Sequence, residues 1–118
     1  MWFEKRRHKR YRSLAKAEIE GYDYGESLLT DLSILGCRIE CTMQADLDTE
    51  TEYKIKIIPE QSANIGEFEI TAELKWSLTK GYTTEMGFCI VKSPKGRFFQ
   101  RYLDYLAWRA ETPAAGLI

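Results

Sequence analysis

Histidine is almost absent from this chain, and its other reactive side chains form no catalytic pattern. The 118 residues include one histidine, His8, which lies among closely spaced lysines and arginines. Those positive charges disfavour protonation of the imidazole and so weaken it as a general acid or base. The sequence also lacks a nucleophile elbow, a Walker loop and a paired metal motif. We therefore expect a protein that is not an enzyme and needs no cofactor.

Cysteine is scarce as well. Three cysteines are too few for a disulfide scaffold. In the alternating segment of residues 36–41, Cys37, Ile39 and Cys41 would share one face of a strand. We interpret the two thiols as small buried apolar groups. A zinc site would need further ligands, and His8 lies far away in the basic N-terminal segment, so no metal is expected.

Long apolar runs are missing too. No stretch has the length that a bilayer span requires, and the N-terminus is charged where a signal peptide would turn apolar. These features predict a protein without a membrane span that resides in the cytoplasm.

What the chain does have is an uneven distribution of charge. Residues 1–12 carry six positive charges and one glutamate, while the formal net charge of the whole chain is -1, so residues 13–118 sum to -6. A basic arm on an acidic body is typical of a protein with an anionic partner.

Period-two alternation recurs along the chain and predicts six short strands followed by one helix. The longest alternation, over residues 68–76, places Trp76 on the inward, core-facing side. Succession of short antiparallel strands favours a small barrel or sandwich, with the helix capping an open end. The predicted strands are residues 14–22, 27–33, 36–43, 52–59, 68–76 and 83–91. The predicted parts of this single domain are a flexible arm (1–13), a β-barrel (14–92), a C-terminal helix (93–111) and a tail (112–118).

Two short motifs carry the chemistry. The first is Arg6-x-x-x-Arg10 in the arm, and the second is Asp31-x-Ser33-x-x-Gly36 at a corner between two strands. Arginine can engage guanine O6 and N7 or pair with a phosphate, and a carboxylate accepts hydrogen bonds from the N1–H and N2–H2 edge of guanine. Each motif alone is weak evidence, but together they fit an anionic guanine nucleotide.

The two motifs resemble those of the PilZ domain, the bacterial receptor family for cyclic di-GMP. The second motif begins 21 residues after Arg10, within the family's spacing. Residues 72–76 and 86–88 resemble later family strands, where a tryptophan and then a glycine–aromatic pair recur. The resemblance covers nearly the whole chain. It implies an all-β protein, a six-stranded antiparallel β-barrel with a C-terminal α-helix.

The resemblance also implies which residues bind cyclic di-GMP. Arginines of the arm would grip guanine and phosphate, and the second motif would form a wall that reads the guanine edge. The implied binding residues are Arg6, Arg7, Arg10, Asp31, Ser33 and Gly36, with Lys5 and Trp76 as further candidates.

Two positions depart from the family pattern. Leu35 stands where many members have glycine, which makes the wall bulkier. Lys5 stands where members that bind a stacked pair of ligands often have arginine, and lysine lacks the planar stacking surface. The number of bound ligands, one or two, is therefore open.

The resulting hypothesis is a ligand-gated adaptor in a bacterial cytoplasm. Cyclic di-GMP would bridge the mobile arm and the barrel, and the new surface would signal to a separate effector protein. The terminal helix could dock that effector or a second copy, giving a homodimer, or only cap the barrel. One alternative is a PilZ-like interaction module that binds no ligand. Another is a basic-armed nucleic-acid-binding barrel, which the -6 charge of the body disfavours.

Overall fold

Six strands and one α-helix make up this protein in the computed structural model, which describes residues 9–92 and 94–112. A 3-10 turn at Gln61–Ala63 separates the fourth and fifth strands. The elements are β1 (Tyr11–Ile19), β2 (Ser27–Leu32), β3 (Gly36–Cys41), β4 (Glu52–Ile58), β5 (Phe68–Lys80), β6 (Thr83–Lys92) and α1 (Phe98–Glu111).

The strands close into a barrel in the order β1-β2-β3-β6-β5-β4. Every neighbouring pair is antiparallel. The predicted six-stranded antiparallel barrel with a C-terminal helix is thus confirmed. Closure leaves no free sheet edge in the barrel, so each strand satisfies its backbone groups on both sides.

Alternating side chains fill the interior, as the period-two pattern predicts. On β1, Ala15, Ala17 and Ile19 are buried, while Lys16 and Glu18 are exposed. Full burial of an aliphatic side chain contributes about 1.5–3 kcal/mol to stability. The inward faces of all six strands together therefore supply most of the driving force for folding into a barrel.

Helix α1 caps the barrel through one apolar face. Phe99, Tyr102, Leu103 and Leu106 are buried, at the spacing of a single helical stripe. The helix begins at Phe98 rather than near Pro94 as predicted, because Gly96, at φ +81°, turns the chain before it. Within residues 9–92 and 94–112, no helix is long and apolar enough to cross a membrane.

Every predicted strand differs from the observed one at one or both ends, and the largest differences lie in β1 and β5. β1 begins at Tyr11, so the last residues of the predicted arm pair within the barrel. β5 continues to Lys80 and leaves only Gly81 and Tyr82 in the tight turn. Residues 1–8 of the arm and residues 113–118 of the tail lie outside the described residues.

The inward orientation predicted for Trp76 is wrong. Leu74 pairs with Phe88 and Trp76 pairs with the adjacent Gly87, so Lys75 is an extra residue in the ladder. Such a β-bulge shifts the alternation by one position, and the residues after it change face. Trp76 consequently lies on the outside of the barrel, with 44% of its surface exposed.

Candidate functional site

The corner between β2 and β3 is organised by Ser33. Its hydroxyl oxygen accepts hydrogen bonds from the backbone N–H groups of Leu35 and Gly36, both at 3.2 Å, and it can donate to the Gly36 carbonyl at 3.3 Å. The Ser33 N–H donates to the same carbonyl at 2.9 Å. Because Ser33 is buried and its hydroxyl is engaged, it holds the shape of the corner rather than projecting into solvent.

Gly36 is required by close packing of two strands. A Cβ atom at this position would lie 2.5 Å from the Phe88 carbonyl oxygen on β6. A larger residue would push β3 away from β6 and shift the corner, so the glycine of the second motif keeps the two strands in register.

Asp31 lies between two arginines. Its Oδ1 is 3.0 Å from Nη1 of Arg10, and its Oδ2 is 3.0 Å from Nη2 of Arg38. The Asp31 side chain is only 13% exposed, whereas both arginines are substantially open to solvent. The predicted residues Arg10 and Asp31 are therefore in direct contact, and the carboxylate orients two guanidinium groups at the barrel surface.

Arg38 forms a second ion pair, with Glu85 of β6. Its Nη1 is 3.3 Å from Oε1 of Glu85. The hydrogen bond to Glu85 and the charge of Asp31 raise the pKa of Arg38, although partial burial opposes the shift. Its Nε atom is buried and has no hydrogen-bond partner among the described residues. Arg38 is thus a permanently charged group, and the second N–H groups of Nη1 and Nη2, rather than the buried Nε, give it donor capacity beyond its two ion pairs.

A continuous row of residues crosses the outside of the barrel at this level. Arg12 pairs with Asp31, Asp31 with Arg38, Arg38 with Gly87, and Gly87 with Trp76. We call these five residues the outer row. They lie on β1, β2, β3, β6 and β5, and at the usual strand spacing the row follows the curved wall of the barrel for about 19 Å.

Trp76 ends the outer row as a flat apolar surface. A Cβ atom at Gly87 would lie 2.1 Å from the indole Nε1 and 2.3 Å from Cε2. The ring therefore rests directly on the backbone of Gly87, where any other residue would displace it. Since almost half of Trp76 remains exposed, the side of the ring away from the sheet can stack on a planar group.

The structure gathers some of the predicted residues and leaves others aside. Arg10 and Asp31 meet, and Ser33 and Gly36 shape the corner beside them. Trp76 lies three strands further along the outside of the barrel. Lys5, Arg6 and Arg7 lie outside the described residues, so their roles stay predictions.

Sequence reasoning missed Arg38, Arg12 and Gly87 as parts of the site. For Arg38 a signal was available, because it alternates with Cys37 and Ile39 directly after the second motif and so had to face outward. Arg12 was assigned to the arm as a generic charge. A glycine inside a predicted strand indicates a bulge or a close approach at Gly87, but the sequence did not identify Trp76 as the group that approaches it.

The chemistry of the outer row suits a planar anion. Guanidinium groups pair with phosphate or with the acceptor edge of a base, and the indole offers a stacking surface. By contrast, a cleft of about 530 Å³ near the other end of β1 is lined by Glu18, Glu20 and Glu69, whose charges disfavour an anion. Across residues 9–92 and 94–112, no group of three or more His, Cys, Asp or Glu side chains could hold a metal ion.

Comparisons with known proteins identify the fold. No family model and no curated protein match this chain. Among solved structures, it is similar to the Bacillus subtilis inhibitor of motility, MotI/DgrA, with a TM-score of 0.74 and 15% sequence identity. The match covers 92% of this chain and 52% of that one, so this chain spans about half the length of its structural neighbour. The likeness shows a PilZ-like fold, a closed barrel with a C-terminal helix.

Proposed function

We propose that this protein is a non-enzymatic receptor of the PilZ type, which binds cyclic di-GMP on the outer row and signals to a separate protein in a bacterial cytoplasm. The observation that carries the proposal is the position of Asp31. It is held between Arg10 and Arg38 at 3.0 Å from each, in the outer row that ends at the exposed ring of Trp76. A carboxylate, guanidinium groups and a flat ring are the groups that a charged guanine nucleotide requires.

Each group has a distinct task in this proposal. Trp76 stacks on one guanine, and Arg38 donates to a guanine edge or a phosphate. Asp31 accepts from the N1–H and N2–H2 groups of guanine, which distinguishes guanine from adenine. The positive charge of Arg12, at the other end of the outer row, lies where it can attract a phosphate.

Binding requires an exchange of ion pairs. Without ligand, Arg10 occupies Oδ1 of Asp31. When a phosphate arrives, Arg10 can turn to it and free that oxygen for the guanine edge. Because Arg10 has an anionic partner before and after the exchange, the electrostatic free-energy cost of the exchange is small.

The arm completes the site. Arg6 and Arg7, together with Lys5, precede Arg10 by a few residues and so would reach a ligand that Arg10 contacts. A ligand held by both arm and barrel would order the arm against the outer row. An effector protein would bind the surface created in this way. Alternatively, the ordered arm would promote formation of a homodimer that transmits the signal.

Calorimetric titration with cyclic di-GMP tests the site directly. We expect Arg10→Ala to weaken binding by about ten- to a hundredfold, because one bidentate arginine contact contributes about 1–3 kcal/mol. The matched control is Arg101→Ala, which removes the same charge from the exposed surface of α1. The proposal fails if the wild-type protein gives no heat, or if Arg10→Ala binds as tightly as Arg101→Ala.

The same titration tests what Asp31 contributes. Asp31→Ala should narrow the difference in affinity between cyclic di-GMP and cyclic di-AMP, because the acceptor for the guanine edge is lost. If the preference for guanine is unchanged, Asp31 serves only to position the arginines. The measured stoichiometry also decides between one ligand and a stacked pair, the question that Lys5 leaves open.

Absence of binding would favour the alternative of a PilZ-like module that acts through protein contacts alone. Binding to many nucleic-acid sequences with a steep dependence on salt would favour a nucleic-acid-binding barrel. The acidic body disfavours the second outcome, since residues 13–118 sum to -6.

A further inference from the structure

A groove runs between the corner loop and helix α1. Two clefts, of about 300 Å³ and about 500 Å³, share Ile34 and Gln100 in their walls and so form one depression. One end lies at Lys9 and Tyr11, beside the arm, and the other lies at Val91, where β6 leads towards the helix. We call this depression the corner groove.

Large apolar side chains line the corner groove and remain open to water. Ile34 is 49% exposed, Leu35 is 52% exposed and Val91 is 39% exposed. A loop that needed only to reverse the chain would carry polar residues at such positions. Neighbouring exposed aliphatic groups in a concave surface are typical of a protein-binding site.

Hydrogen bonds fix the backbone of the corner loop at Leu35. The Ile90 N–H donates to the Leu35 carbonyl at 2.8 Å, and the Leu35 N–H donates to the Ser33 hydroxyl oxygen at 3.2 Å. Both backbone groups of Leu35 are thereby engaged. A surface organised before binding loses little conformational entropy when a partner docks.

The rim of the corner groove is basic. Lys9 and Lys92 line it, and Asp104 is the only acidic residue among the described residues of its walls. A further cleft of about 370 Å³ adjoins it through Lys92 and Pro94 and adds Lys54 and Lys95 together with one acidic residue, Glu69. On a body with net negative charge, this local excess of lysine selects for carboxylates next to the apolar contact.

We propose that the corner groove binds a short segment of a partner protein that carries bulky apolar side chains flanked by acidic residues. The chain's own basic arm is a poor occupant, because its charges match those of the rim. A membrane is a poorer fit as well, since side chains that enter lipid project outward, whereas Ile34, Leu35 and Val91 line a depression. This inference goes beyond the binding of a nucleotide and does not depend on it.

Selection from a display library of short random peptides tests the proposal. We expect the enriched peptides to combine bulky apolar residues with aspartate or glutamate. Fluorescence anisotropy with the selected peptides should show a loss of at least about tenfold for Leu35→Asp and for Lys92→Glu. Replacing the peptide's acidic residues with lysine should restore binding to Lys92→Glu. The control is Tyr82→Ser, which changes a highly exposed side chain in the turn between β5 and β6.

Three outcomes would overturn the proposal. One is enrichment of peptides without acidic residues, and another is equal binding of those peptides by wild type, Leu35→Asp and Lys92→Glu. The third is a combination of two results: the selection enriches no peptide, and the wild-type protein sediments with vesicles of phosphatidylcholine and phosphatidylserine whereas Leu35→Asp does not. That combination would assign the groove to a membrane. Because Leu35 and Lys92 are exposed, thermal unfolding should show that both variants fold.

Discussion

At the scale of single residues, Asp31 positions the charged groups of the candidate site. It pairs one arginine from the N-terminal segment with another from β3, and both guanidinium groups stay at the surface. The two motifs in the sequence assigned Arg10 and Asp31 to one ligand site, but they did not predict the direct contact between the two side chains. They could not predict Arg38, because the partner of a β residue depends on strand register rather than on its neighbours in sequence.

Gly87 allows a precise test of how Trp76 is positioned. We expect Gly87→Ala to destabilise the protein by about 1–3 kcal/mol, because its Cβ would overlap the indole ring. In the background of Trp76→Ala, the same change should cost much less, since the obstructing ring is gone. Urea unfolding of the four proteins of this double-mutant cycle gives the coupling energy.

Ligand titration of the same variants separates stability from binding. If Trp76 stacks on a base, Gly87→Ala should also weaken cyclic di-GMP binding under conditions where the variant is fully folded. A coupling energy near zero would show that the ring and Gly87 do not constrain each other.

At the scale of elements, helix α1 is joined to β1, the strand at which the outer row begins. The Tyr102 hydroxyl lies 2.8 Å from Oγ of Ser13 on β1 and donates to Oε1 of Glu60 at 2.5 Å. Arg109 donates to Oε2 of Glu60 at 2.8 Å and to the backbone carbonyl of Arg12. A shift of β1 at Arg12 would therefore displace Arg109 and with it the end of helix α1.

Tyr102→Phe tests this junction. Removing the hydroxyl leaves Ser13 and the largely buried Glu60 short of a partner, and we expect a loss of about 1–3 kcal/mol in the free energy of unfolding. The matched control is Tyr105→Phe, whose hydroxyl contacts Ser62 at an exposed position and should cost less than about 0.5 kcal/mol. Equal losses in the two variants, measured by urea unfolding, would contradict a special role for the Tyr102 contacts.

The whole barrel keeps several weak acids neutral in its interior. Burial raises the pKa of Cys37 to about 12, from an ordinary value of 9.0, and the nearby Asp31 charge adds to the effect. Burial likewise raises the pKa of Cys41, Tyr53 and Tyr102. Each group loses its proton more readily in the unfolded chain than in the folded protein, so alkaline pH favours unfolding.

Cys37 alone should contribute measurably to the pH dependence of the free energy of unfolding. Its contribution is fully present below the unfolded pKa and is lost as pH rises towards the folded value. From about pH 8 to about pH 10.5 the loss should be about 2 kcal/mol. We expect the loss of unfolding free energy over this pH interval to be about 2 kcal/mol smaller in Cys37→Ala than in the wild-type protein, so its slope against pH is shallower.

The control for this measurement is Ile39→Val, a neighbouring core change without a titrating group. It should lower stability at every pH and leave the slope as in the wild-type protein. An unchanged slope in Cys37→Ala would show that the thiol is not held neutral by the fold.

The sequence by itself determined the strands, their inward faces, the terminal helix and the two motifs, because period-two and helical patterns and the motif spacings are read along the chain. Only the tertiary structure decided which outward residues share a site. The register places Arg38 and Gly87 between Asp31 and Trp76, and the extra residue at Lys75 turns Trp76 outward. Alternation is a local property, whereas register and bulges depend on pairing between distant segments. The corner groove likewise arises only where the loop of Ile34 and Leu35 meets helix α1, some 65 residues later in the chain.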